Sequence, residues 1–129
     1  MLHYPIGELI ESTKSTVIFA HSDFMGHFLK GKLVNALMAL PKDDEVKMAL
    51  AKHVPLFDDI HARLRRPSPV AITSADMDAV LDMLHWCTDL LQKHSDHPLA
   101  SLVQQLRLAG LALLKLFVLV ATAHHCYPM

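Results

Sequence analysis

The chain has 129 residues, of which 52% are hydrophobic and 19% charged, and its net charge is −1 at pH 7 with neutral histidines. This length and apolar content predict a single folded domain over residues 1–129 and argue against an intrinsically disordered protein. The near-zero net charge argues against a protein whose overall field attracts nucleic acid or an anionic membrane.

Apolar residues recur at steps of three and four along the first forty residues, which is typical of an amphipathic helix. We expect either one helix over residues 6–40 or two helices with a break near residues 21–23, where Ser22 would cap the second. Pro41 ends the region, because proline disfavours helical geometry in the residue before it.

A second helical region begins at the acidic residues 43–45, where negative side chains suit the positive end of a helix. Its apolar positions keep helical phase through Pro55, which predicts one kinked helix and not two separate ones. The segment 65–69 contains two arginines and two prolines, and it predicts the loop that ends this region.

Two more helices are expected after this loop. Thr73 and Asp76 have the spacing of a capping box for the first of them. Ser95 is the expected cap of the second, which would run from about residue 98 to about residue 125 with Pro98 in its first turn. No segment alternates polar and apolar residues over the length of a strand. The chain is therefore predicted to be all-α, a single-domain bundle of four long or five shorter helices.

The segment 108–123 is the most apolar part of the chain, interrupted only by Lys115 and Thr122. One side of this predicted helix continues the core of the bundle, and the opposite side would ordinarily be polar. That opposite side runs from Gln104 and Arg107 to Thr122, and the four residues between them are the candidate contact: Leu108, Leu111, Lys115 and Val118. Because three of them are apolar, we expect this stripe to form a homodimer contact, with burial at the centre of the bundle as the alternative.

A membrane-spanning role for the segment 108–123 is a third alternative, and the sequence disfavours it. Sixteen residues separate Arg107 from His124, fewer than the about twenty apolar residues that a spanning helix needs. Lys115 near the middle adds roughly 3 kcal/mol to the free energy of insertion. We therefore expect burial against protein.

Ten histidines are the most conspicuous chemical feature of the chain. His21, Asp23 and His27 are the candidate metal ligands, because Asp23 and His27 stand one helical turn apart and both side-chain types ligate metals. The alternative is that Asp23 and His27 simply hydrogen-bond to each other. No spacing in the chain supplies the four ordered ligands of a structural zinc site, and no cofactor is expected.

Two Asp-x-x-His pairs, Asp58–His61 and Asp82–His85, resemble part of the ligand pattern of di-iron bundles, which use Glu-x-x-His. Asp82 and His85 fall on the side of their helix opposite the apolar residues, together with Asp89. That side is predicted to be a solvated acidic face, because di-iron ligands project into the core.

No catalytic signature is present: the chain lacks a Gly-x-Ser-x-Gly elbow, and neither Cys87 nor Cys126 stands in a nucleophile motif. We therefore expect a non-enzymatic α-helical interaction module, an adaptor, regulator or inhibitor of another protein that forms a homodimer. The alternative is a bundle that holds a small molecule or a metal between its helices near His21. The N-terminus lacks the pattern of a secretory leader, so we expect a cytoplasmic protein.

These patterns identify no family. Three arginines, Arg63, Arg65 and Arg66, close a predicted helix, where positive side chains suit the negative end of the helix dipole. No nucleic-acid-binding motif accompanies them, so nucleic acid is not an expected partner.

Overall fold

The computed structural model describes residues 6–66 and 72–126, and 85% of these residues lie in helices. The described part contains five helices and no strand: α1 (Ile6–Phe28), α2 (Gly31–Ala39), α3 (Glu45–Leu64), α4 (Ser74–Lys93) and α5 (Ala100–Cys126). The predicted all-α bundle is confirmed, with four long helices and one short one. Residues 67–69 of the predicted loop lie outside the described residues.

The four long helices form a bundle in which successive helices run antiparallel. α1 packs against α5 and α3, and α4 packs against the same two helices, so that α3 and α5 lie diagonally opposite. Gly110 lies against Leu84, and Arg107 Nε donates to the Thr88 hydroxyl, which gives α5 its direction relative to α4. The core is rich in fully buried phenylalanines, one each from α1, α3 and α5: Phe24, Phe57 and Phe117.

The first helical region breaks at residues 29–30, and the expected break near residues 21–23 is wrong. Ser22 lies inside α1, where its hydroxyl accepts a hydrogen bond from Arg65. His21 and Phe24 are buried, and this packing favours an unbroken helix at their positions. The actual break lies between Gly26 and Gly31, two residues with low helix propensity.

Asp44 caps α3, because its carboxylate accepts hydrogen bonds of 3.0 Å from the amides of Val46 and Lys47. α3 then continues through Pro55 to Leu64, as the helical phase of the apolar residues predicted.

The predicted capping box of α4 is confirmed. The Asp76 amide donates to the Thr73 hydroxyl over 3.1 Å, and the Thr73 amide donates to the Asp76 carboxylate over 2.9 Å. The same carboxylate accepts two hydrogen bonds from the Arg63 guanidinium, of 2.8 and 2.6 Å. Asp76 therefore stabilises the start of α4 and also joins α4 to the end of α3.

The start of α5 differs from the prediction. α5 begins at Ala100, about two residues later than expected, and Ser95 belongs to the turn before it. The amide of Leu99 donates to His97 Nδ1 over 3.0 Å, so His97 and not Ser95 provides the side-chain acceptor at this end. His97 Nε2 also lies 3.3 Å from the Asp44 carboxylate, which holds the turn against the start of α3.

Candidate functional site

The outward side of α5 is an apolar surface. We call Leu108, Leu111, Lys115 and Val118 the α5 stripe. Leu108, Leu111 and Val118 are 48%, 40% and 55% exposed, and Lys115 is also exposed. Central burial, the alternative considered for this side, is therefore wrong for the single chain. The opposite sides of α5 form the core, with buried residues that include Leu106 and Leu113.

The surface continues from the α5 stripe onto α1. Ser12 and Thr16 of α1 and Lys115 of α5 line a shallow groove of about 190 Å³ between the two helices. Phe19, one helical turn beyond Thr16, is 73% exposed. Phe19 therefore adds an exposed aromatic side chain on α1, the helix that packs against α5.

Charged side chains border this surface. Lys115 lies beside the first turns of α1, which expose two carboxylates, those of Glu8 and Glu11. Within residues 6–66 and 72–126, none of these three side chains forms an ion pair. Both charge signs are therefore available for contacts outside the single chain.

A second feature is a buried histidine pair between α1 and α3. His21 Nε2 lies 2.6 Å from Asp58 Oδ1, and His61 Nδ1 donates to the Phe57 carbonyl over 2.8 Å. The two imidazole rings stack with centroids 4.0 Å apart and planes 14° from parallel. His21 is 6% exposed and His61 is 0% exposed, so water has little access to either ring.

The hydrogen bond of His61 to the Phe57 carbonyl determines which ring nitrogen carries its proton. A carbonyl accepts and cannot donate, so the proton of neutral His61 is on Nδ1 and its Nε2 is a bare acceptor. The nitrogens His61 Nε2 and His21 Nδ1 have no hydrogen-bond partner in the described part of the chain. Burial lowers the pKa of His61 to about 4, and the neighbouring His21 and Arg65 act in the same direction. His61 is therefore neutral at pH 7, enclosed and unable to reach a substrate in solution.

The predicted metal ligands do not meet at one point. His21 faces α3 and Asp58, whereas His27 Nε2 lies 3.8 Å from the Asp23 carboxylate on a more exposed part of α1. Among the residues that the structure describes, no group of three histidine, cysteine, aspartate or glutamate side chains could hold a metal ion. The structure instead brings His21 together with Asp58 and His61, a combination absent from the predicted ligand set.

The second Asp-x-x-His pair lies on an exposed face of α4, as predicted. Asp82 and His85 are both exposed, and the Asp82 carboxylate lies 3.5 Å from Lys52 Nζ. The basic cluster at the end of α3 is largely engaged within the chain, since Arg63 binds Asp76 and Arg65 binds Ser22.

A third feature is an apolar groove of about 300 Å³ between the end of α1, α2 and α3, and sequence patterns did not predict it. Its walls include Phe28 of α1, Leu37 of α2, and Leu50 and Val54 of α3. Lys47 is the charged residue among those that line it. No residue of α2 is fully buried, so the short helix covers α3 only partly.

No family model, curated protein or solved structure matches the chain. By length and composition, α5 over Ala100–Thr122 could cross a membrane, but the core helix of a globular bundle meets the same test.

Proposed function

We propose that the protein is a non-enzymatic helical interaction module that forms a homodimer through the α5 stripe. The observation that carries this proposal is the exposure of Leu108, Leu111 and Val118 on one side of the helix that also supplies the core. Apolar side chains aligned on one helix face favour association, because contact removes them from water. A second copy is the simplest occupant, since a two-fold axis brings the same surface together.

The size of the surface indicates that α1 takes part. A stable interface buries roughly 800 Å² on each partner, more than three partly exposed side chains can supply. Phe19 lies on the neighbouring helix and is largely exposed, and aromatic side chains contribute strongly at interface centres. The proposed interface is therefore the joint face of α1 and α5, from Phe19 to the α5 stripe.

Charge complementarity supports a second copy as the occupant. Lys115 lies on this face, and Glu8 and Glu11 are exposed in the first turns of α1; none of the three has an ion-pair partner in the described part of the chain. Two-fold symmetry lets Lys115 of each copy approach Glu8 or Glu11 of the other, so that every such contact forms twice. The lysine stem covers apolar surface while its ammonium reaches the rim.

The dimer is tested with the double substitution Leu111→Glu, Val118→Glu. Sedimentation velocity at rising protein concentration should show a dimer for the parent chain and a folded monomer for the variant. The matched control, Leu56→Glu with Leu81→Glu, changes two comparably exposed leucines on the α3–α4 side and should remain dimeric. A parent chain that stays monomeric at high micromolar concentration contradicts the proposal, as does equal dissociation of the control.

A charge exchange tests the register of the same interface. Lys115→Glu should weaken the dimer, because it places a third acid beside Glu8 and Glu11. Combining Lys115→Glu with Glu8→Lys and Glu11→Lys should restore dimerisation, since the complementary charges are then exchanged between the helices. If the combined variant is no tighter than Lys115→Glu alone, the proposed pairing is wrong.

A further inference from the structure

The groove between α2 and α3 has the size and lining of a small-ligand site. Its volume of about 300 Å³ is at the lower end of the roughly 300–1,000 Å³ that is usual for such sites. Phe28, Leu37, Leu50 and Val54 supply apolar walls from three helices. A compact apolar chain can fill this space, whereas a polar ligand would find few hydrogen-bond partners.

Lys47 gives the groove its charge. The residue is half-buried, and its ammonium donates to the Leu40 carbonyl over 3.2 Å. An ammonium has three N–H donors, and within the described residues Lys47 forms no ion pair. Two donors therefore remain for a ligand.

The N-cap residue of α3, Asp44, lies three positions before Lys47 and does not occupy these donors. The Asp44 carboxylate accepts from the amides of Val46 and Lys47, and it lies 3.3 Å from His97 Nε2. The Asp44 carboxylate therefore caps α3 and does not pair with the Lys47 ammonium. The half-buried Lys47 thus brings a cation to an apolar groove, where an anionic group of a ligand would be favoured.

We propose that this groove binds a free fatty acid, with the aliphatic chain between α2 and α3 and the carboxylate accepting hydrogen bonds from the Lys47 ammonium. The proposal is independent of the α5 stripe, because no residue of α5 lines the groove.

Calorimetric titration of the full chain with decanoate and with decan-1-ol tests the proposal. Decanoate should bind saturably with one site per chain, and the uncharged alcohol should bind about tenfold more weakly because it lacks the ionic contact. Lys47→Met keeps the apolar stem and removes the ammonium. It should reduce decanoate affinity about tenfold and leave the affinity for the alcohol unchanged.

Two further variants complete the experiment. Ala51 is exposed and lines the groove, so Ala51→Phe should fill the space and abolish binding of both ligands without disturbing the core. Lys52→Met removes an exposed lysine of the same helix that pairs with Asp82, and it should bind decanoate as the parent does. Absence of saturable decanoate binding by the parent overturns the proposal. Unchanged decanoate affinity in Lys47→Met or Ala51→Phe, with helical circular dichroism retained, also overturns it.

Discussion

The rings of His21 and His61 stack face to face across the contact between α1 and α3, with centroids 4.0 Å apart. Asp58 binds the outer nitrogen of His21 over 2.6 Å, and the Phe57 carbonyl binds His61. Each ring retains one nitrogen without a partner in the described residues. Because both rings are buried, the pair joins two helices, and burial disfavours the charged form of His61.

The first prediction concerns the pH dependence of stability. The folded-state pKa of His61 is about 4, below its ordinary value of 6.5, because burial disfavours the charged ring. Between these two values the unfolded chain binds more protons, so the free energy of unfolding decreases as the pH falls. Between pH 7 and pH 5, the titration of His61 alone should lower the free energy of unfolding by about 2 kcal/mol. Urea unfolding at both pH values measures it.

His61→Leu should flatten this pH dependence, whatever its effect on stability at pH 7. A smaller slope remains, because burial also lowers the pKa of His53. The control His85→Gln changes an exposed histidine of α4 and should keep the parent slope. If His61→Leu loses as much stability between pH 7 and pH 5 as the parent, His61 is not the responsible group.

The second prediction concerns the acceptor of His21. Asp58→Ala leaves the buried Nε2–H of His21 without its carboxylate, which should cost about 1–3 kcal/mol in the free energy of unfolding at pH 7. The control Asp59→Ala removes the adjacent carboxylate, which is exposed and lies 3.3 Å from Arg63. It should cost about 0–1 kcal/mol. Equal losses for the two variants would show that the contact between His21 and Asp58 contributes no more than a surface ion pair.

The third prediction contrasts two glycines. At Gly110 an added Cβ would lie 2.7 Å from Met83 Cε and 2.8 Å from Leu84 Cδ2, both in the buried core. Overpacking of a core lowers the free energy of unfolding by about 1–3 kcal/mol. The better helix propensity of alanine raises it by about 1 kcal/mol. Gly110→Ala should therefore be net destabilising in thermal unfolding.

Gly26 is the matched control, since it lies in α1 with no atom within 4 Å of an added Cβ. Gly26→Ala should raise the free energy of unfolding by a few tenths to about 1 kcal/mol, because alanine is the better helix former. Stabilisation by both substitutions would mean that α4 gives way to the added methyl group at Gly110.

The fourth prediction concerns the thiol of Cys87, which is fully buried. Burial raises its pKa to about 12, so the reactive thiolate is scarce at neutral pH. In a Cys126→Ser background, a thiol reagent such as iodoacetamide should modify Cys87 only as fast as the protein unfolds. Rapid modification of the folded chain at pH 8 would show that the core between α4 and its neighbours opens locally.

Several features follow from the sequence because local chemistry determines them. Apolar spacing of three and four predicts the helices, and Thr73 with Asp76 predicts the start of α4, since a capping box needs two residues three positions apart. The exposure of Leu111 and Val118 also follows from helical phase, because the buried residues of α5 lie on the other side of the helix. Even the burial of His61 agrees with phase, as it stands one turn after Phe57 on the apolar side of α3.

Other features depend on residues that are distant in the chain and meet only in the folded bundle. Asp58 is 37 positions from His21, and no spacing rule connects an aspartate of one helix to a histidine of another. The groove beside Lys47 exists because α2 covers α3 incompletely, which depends on how the region between α1 and α3 packs. Helix caps and apolar spacing involve residues within one or two turns of each other, whereas these sites are set by the antiparallel register of whole helices, which the packing of the core decides.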